Sequence, residues 1–232
     1  MNKFFGAVIG AIAAILVFSL SPKSDSYIRD RVVKLTGNGY TCTGEQVTAP
    51  SGRDYVLTAA HCMSTAEGGF ITATTESGET YRLEIIEEDP ASDLLLLRGV
   101  PDLTGLDIAH AAPRFSRVRT FTHGAGNPTY ETDGFLIGKQ SIKALVDMIE
   151  TPEQLAKCEE FPAKNTVLRA GDQAACIMDV EEEVTSAMIV PGSSGGPVVN
   201  ASGDLVGVVS TGDGHFGGLV TMNDIHRFLK SR

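Results

Sequence analysis

From residue 32 onward, apolar and polar positions alternate in short runs broken by clusters of Gly, Pro, Asp and Asn, a pattern that predicts strands joined by turns. In the first half the candidates are Val32 to Leu35, Tyr40 to Ala49, Tyr55 to Thr58, Phe70 to Thr75, Tyr81 to Ile86 and Leu94 to Leu97. Pro50-Ser51-Gly52-Arg53-Asp54 separates two of them as a turn. No run here carries a helical stripe, so this half reads as a small antiparallel barrel. Residues 100 to 116, with Pro101, Gly105 and Pro113, form the natural linker. Further strands are expected at Val118 to Thr122, Phe135 to Gly138, Thr166 to Arg169, Ala174 to Asp179, Pro197 to Asn200, Leu205 to Ser210 and Gly218 to Thr221. Asp147 to Cys158 fits a short surface helix or an ordered loop. The last residues carry an Asn or Asp start, apolar positions three or four apart and basic residues at the end, which predicts a closing amphipathic helix over 222–230. The expected architecture is all-β: two antiparallel β-barrels over residues 25–112 and 113–232, with an active site in the cleft between them.

The first residues depart from this pattern. After Met1-Asn2-Lys3, an uncharged run from Phe4 to Leu20 reaches the lower edge of what spans a bilayer as a helix and slightly exceeds a usual signal-peptide core. A peptidase cleaving after Ser21 would face Pro22 immediately downstream and no Ala-x-Ala closes the run, which tips a close choice toward a retained anchor over a cleaved signal; a buried soluble helix is the third reading. Both export readings place Asp25 onward across the membrane, in the periplasm or outside the cell.

Composition narrows the partners. With 19 basic against 29 acidic residues and a net charge of -10, no dense Lys/Arg patch offers itself to nucleic acid. The four cysteines agree with export. Of their three possible pairings, Cys42 with Cys62 and Cys158 with Cys176 is the simplest, and no pair has the Cys-x-x-Cys spacing of structural zinc. No cluster offers three metal ligands and no Gly-rich loop followed by Lys points to a nucleotide, so neither metal nor cofactor is expected.

Chemistry concentrates in three segments. Pro191-Gly192-Ser193-Ser194-Gly195-Gly196-Pro197 places glycines around a serine, allowing a sharp turn that exposes both Oγ and nearby N–H groups; those of Gly192 and Ser194 are the candidate oxyanion donors. A flexible turn is the bland alternative. Leu57-Thr58-Ala59-Ala60-His61-Cys62 ends an apolar strand on an imidazole, and a serine hydroxyl needs such a base near neutrality. A carboxylate should orient that imidazole. Asp93 stands at the mouth of the leucine run, whereas Glu87, Glu88 and Asp89 fall in what reads as a solvated turn.

LTAAHC, SDLLLL and GSSGGP, in that order, resemble the three signatures of the trypsin-like serine proteases, the chymotrypsin superfamily, from about Arg31 to the end. The resemblance implies a serine endopeptidase with His61 as general base, Asp93 as orienting acid and Ser194 as nucleophile, working through an acyl-enzyme on protein or peptide substrates. It also implies the Cys42–Cys62 disulfide. Ser193 stands where enzymes activated by zymogen cleavage carry an Asp, and no Ile/Val-Val-Gly-Gly start lies near Tyr27 to Val33. The chain is therefore similar to bacterial Deg/HtrA-type catalytic domains, without a PDZ domain after it. The family's geometry implies a primary specificity pocket with Met188 at its base and walls from Ser210, Thr211, Gly212, Gly217 and Gly218. A Met floor disfavours Lys or Arg and favours a small or medium apolar residue before the scissile bond. His215 and Phe216 could instead serve an acidic residue. His123 reads as a surface or loop residue. Two other classes compete: a catalytically silent barrel pair that binds a partner, and an α/β-hydrolase esterase, whose chain order of nucleophile, acid, histidine is not the order here. Oligomeric state is not legible.

Overall fold

A computed structural model describes residues 22–149, 151–159, 165–170, 173–212 and 214–232. The apolar segment Phe4 to Leu20 lies outside the described residues; among those described, no helix is long and apolar enough to cross a membrane.

Six strands form the first closed barrel: β1 (Val32–Gly37), β2 (Tyr40–Thr48), β3 (Asp54–Thr58), β4 (Phe70–Thr74), β5 (Thr80–Asp89) and β6 (Leu94–Arg98), in the order β1-β2-β3-β6-β5-β4 with β4 paired back to β1. The four leucines of β6 show why the barrel closes where it does. Side chains alternate across a strand, so Leu95 and Leu97 enter the barrel interior with Val56, Ile71 and Leu83. Leu94 and Leu96 point the other way, into the cluster shared with Val198, Leu205, Val208 and Leu219 of the second half. All four are fully buried because one strand serves two cores.

The second barrel contains β7 (Arg117–Thr122), β8 (Tyr130–Ile149), β10 (Gln173–Thr185), β11 (Pro197–Val199), β12 (Leu205–Gly212) and β13 (Gly217–Val220). Pairing of β13 with β10 closes it, and β9 (Asn165–Ala170) lies on the outer edge of β10. β8 and β10 run far beyond the expected Phe135 to Gly138 and Ala174 to Asp179, pairing from Ala174↔Ile149 to Thr185↔Leu136. The added stretch carries charges that hide the apolar alternation; cross-strand partners hold it instead, as where Lys139 meets Glu181 at 2.7 Å. The segment after β8 resolves into a helix, α2 (Pro152–Glu159), tied to β10 by the Cys158–Cys176 disulfide.

Two helices mark the ends of the described fold. The closing helix α3 (Met222–Leu229) buries Met222, Ile225, Phe228 and Leu229, and its cap is Thr221 rather than an Asn or Asp. A helix absent from the sequence-based expectation, α1 (Asp25–Arg29), precedes β1. It is one short turn with a single apolar anchor, Ile28, packed with Val32, Leu106, Phe121 and Val199 from both barrels. Its stability comes from that tertiary seat, since so short a helix does not form alone.

Candidate active site

β3 delivers His61 to the first turn of a 3-10 helix (Ala60–Thr65), and the next residue, Cys62, is bonded to Cys42 of β2. That disulfide holds the turn against the strand behind it. Asp93 ends a second 3-10 turn (Pro90–Ser92) in the left-handed region at φ 53°, a conformation Asp tolerates better than most residues. The turn starts at Asp89, which closes β5 and caps it through the Ala91 N–H at 3.1 Å. The acidic stretch Glu87 to Asp89 is thus strand, not a solvated turn.

Asp93 faces His61 fully. Both its oxygens lie 3.0 Å from His61 Nδ1, and the His61 backbone N–H donates to Oδ1 at 3.0 Å. Ser210 on β12 donates its hydroxyl to Asp93 Oδ2 at 2.6 Å. Burial works to lower the imidazole's pKa, but the Asp93 hydrogen bond and charge outweigh it, and the net displacement is upward. The bond to Asp93 fixes Nδ1 and leaves Nε2 turned from the carboxylate.

Ser194 sits in the turn between β10 and β11. Its carbonyl accepts from the Thr43 N–H at 2.8 Å, and Cys62 Sγ lies 3.8 Å from the same oxygen, so the histidine turn and the serine turn meet through β2. Gly195, at φ +78°, has its missing Cβ directed at Thr58 Oγ1 and the Thr43 carbonyl; a side chain there would separate the turns. The turn spends its amides in a telling way. Ser193 N–H goes to Val190 O at 3.0 Å, Gly195 N–H to Val209 O at 2.7 Å and Gly196 N–H to Ser193 O at 3.0 Å. Among the described residues, no backbone carbonyl takes the N–H of Gly192 or of Ser194. Because a trans peptide sets C=O and N–H in opposite directions, each of these amides is aimed by the carbonyl at the other end of its plane. Pro191 O accepts from Ala125 N–H at 2.6 Å, which turns the Gly192 N–H away from that loop, and Ser193 O is held by Gly196. Ala125 adopts φ 54° to bring its N–H there. Thr43 completes the brace, donating Oγ1 to Gly192 O at 2.8 Å and accepting from His123 N–H at 2.9 Å.

The expected pocket residues are placed as follows. Ser210, Thr211 and Gly212 run along β12, and Gly217 and Gly218 begin β13. Met188 is 49% exposed, while its neighbour Ile189 is 3% exposed. Ile189 fills the space that side chains at Gly212 and Gly217 would claim, touching both. Ile189 was invisible to sequence reasoning because one residue along an irregular segment reverses the side chain's direction. His123 is buried rather than on the surface, with Nδ1 at 3.1 Å from Asn127 O and Nε2 at 3.2 Å from Thr129 Oγ1. Burial lowers its pKa. Glu182 on β10 was also missed. It is 1% exposed, accepts from Thr211 Oγ1 at 3.1 Å and lies against Gly218. Burial and the charge of Asp93 raise its pKa, against hydrogen bonds from Thr211 and Ser210.

The family model of the trypsin-like peptidase domain matches residues 42–208, which spans the histidine, aspartate and serine segments together. The chain belongs to this family. It is a serine protease with the chymotrypsin-like fold of two closed barrels. Solved structures agree in fold. The active form of the Rv3671c protease from M. tuberculosis superposes with a TM-score of 0.65 at 19% identity, covering 90% of this chain and 87% of that one. The serine endoprotease from Yersinia pestis gives 0.62 at 16%, covering 90% of this chain and 66% of that one, so this chain spans just under two thirds of its length. The MamO protease domain from Magnetospirillum magneticum gives 0.58 at 20%, covering 88% and 97%. No curated protein matches this trypsin-like chain.

Proposed function

We propose that this endopeptidase cleaves after small or medium apolar residues through an acyl-enzyme, with Ser194 as nucleophile, His61 as general base and Asp93 as the acid that orients it. The observation that carries the reading is the pairing of His61 Nδ1 with Asp93 beside a serine turn whose Gly192 and Ser194 amides are left out of the turn's own bonding. In the reaction, Nε2 takes the Ser194 proton as Oγ attacks the substrate carbonyl. The oxyanion forms between the two amides, and the protonated imidazole then passes the proton to the leaving amine. Water repeats the sequence and frees the acid. Asp93 holds the imidazole in place and stabilises the imidazolium. The exposed edge of β12 at Thr211 and Gly212 offers the substrate a strand to pair with.

Ile189 supports the small-residue preference better than Met188, since it sets the depth between Gly212 and Gly217. The apolar Ile189 gives a Lys or Arg head nothing to pair with, and the Glu182 carboxylate behind Gly218 is buried and engaged by Thr211. Two disulfides, Cys42–Cys62 and Cys158–Cys176, fit an oxidising compartment, and we place the working protein there.

Sequencing the products of a diverse peptide library tests this directly. Cuts after Ala or Val are expected, and a burst of one acyl group per chain should precede steady turnover of an activated ester. Cleavage after Lys or Arg would overturn the pocket assignment. In Ile189→Ala the deeper pocket should accept Leu and Phe, raising kcat/KM for a peptide with Leu before the bond about tenfold or more. An identical product profile in that variant would remove Ile189 from the role.

A further inference from the structure

Ser193 occupies the position before the nucleophile and is completely buried. Its hydroxyl is engaged on two sides, by Thr122 Oγ1 at 3.0 Å and by the Tyr130 phenol at 3.2 Å. Both partners belong to the wall of the second barrel, Thr122 at the end of β7 and Tyr130 at the start of β8, where the two residues face each other in register. The same phenol also reaches the other side of the site. A Cβ on Gly124 would strike the Tyr130 hydroxyl and ring, so the 3-10 turn Gly124–Gly126 is laid directly on Tyr130. That turn supplies the Ala125 N–H that holds Pro191 O.

One phenol therefore stands behind both amides of the candidate oxyanion site. On one side it anchors Ser193, whose carbonyl end sets the direction of the Ser194 N–H. On the other it seats the turn whose Ala125 N–H sets the direction of the Gly192 N–H. We propose that Tyr130 is a positioning residue for the oxyanion donors, acting through Ser193 and Gly124 without touching the substrate; this deepens the active-site reading above and rests on it. Tyr130, Ser193 and Thr122 order the turn through their hydroxyl groups. Three hydroxyls suit this task because each both donates and accepts, and a chain running from the phenol through Ser193 to Thr122 satisfies the buried Ser193 oxygen on both sides.

The test is kinetic. Tyr130→Phe removes one hydroxyl and keeps the ring under Gly124. Loss of a direct oxyanion donor costs roughly 10²- to 10³-fold in kcat; an indirect brace should cost less, about 10- to 100-fold, with KM changed less than about twofold. Ser193→Ala should give a similar loss, and the double variant should lose little more than either single change, because both remove the same link. A peptide boronic acid, which places a tetrahedral oxygen at the two amides, should bind Tyr130→Phe weaker by the factor seen in kcat. A ground-state peptide bound to Ser194→Ala, with and without Tyr130→Phe, should bind the two about equally. Melting curves separate out folding: Ser193→Thr, which keeps the hydroxyl, should recover more of kcat than Ser193→Ala at whatever melting temperature it has. Unchanged kcat and boronate affinity in Tyr130→Phe would overturn the inference while leaving the active site as assigned. Failure of the parent itself to bind the boronate, or full activity in Ser194→Ala, would instead overturn the site reading beneath it.

Discussion

Ser194→Ala and His61→Ala are each expected to lower kcat by on the order of 10⁴- to 10⁶-fold, and the double variant to be little worse than either alone. The two groups act in one proton transfer, so removing either leaves the other with no step to perform. Little of the fold depends on the removed atoms. Ser194 is held through its carbonyl to Thr43, and a methyl leaves that bond intact. His61 is pinned by its backbone N–H to Asp93 and by the neighbouring disulfide. Unfolding midpoints should therefore stay within a few degrees of the parent while turnover vanishes, and the residual rate should be that of an oxyanion site without a nucleophile. Measuring kcat on the library-derived peptide beside a urea melt checks both halves. Activity within tenfold of the parent in Ser194→Ala would end the assignment.

The second large effect concerns stability. Glu45 on β2 is 0% exposed, and among the described residues neither carboxyl oxygen has a hydrogen-bond partner. Its strand neighbours on the same face, Thr43 and Val47, reach Gly192 and the Val198 and Leu205 cluster, so Glu45 lies between the barrels. Burial alone raises its pKa well above 4.5, which favours the neutral acid in the folded protein. The sign follows from proton counting. Above the unfolded value the unfolded chain releases this proton and the folded one does not, so the unfolded state gains. The contribution of Glu45 is whole below about pH 4.5 and drains as pH rises toward the folded pKa, by about 1.4 kcal/mol per pH unit. Glu45→Gln cannot ionise in either state. It should match the parent near pH 4.5 and become progressively the more stable of the two as pH rises above that. The same widening gap should appear in melting temperature. Urea melts of both proteins across this range isolate the term, since every other titrating group is common to them. Parallel curves would show that Glu45 is ionised or solvated in the folded state.

The candidate site divides along similar lines. His61, Asp93 and Ser194 were legible as candidates because each stands in a local pattern with its own chemical reason: a strand end, an acid before leucines, a serine among glycines. Ser210 was named for the pocket, yet its hydroxyl goes to Asp93. Glu182, Tyr130 and Ile189 sit in stretches with no such local mark. Glu182 is one of three consecutive glutamates, and nothing in their order says that the middle one faces inward. That is decided by strand register, which the sheet fixes by pairing Glu182 with Gln140.

Alternation and turn residues by themselves determined that the chain is two strand-rich halves, where most strands begin, and which three side chains could do the chemistry. Local sterics and side-chain periodicity act within a few residues, so a linear reading reaches them. Only the tertiary structure decided how far β8 and β10 extend, that α1 forms, that Ile189 rather than Met188 lies between the glycines, and which amides the serine turn leaves open. Each of these depends on a partner distant in the chain, whose contribution exists only once the barrels have closed and brought it within contact range.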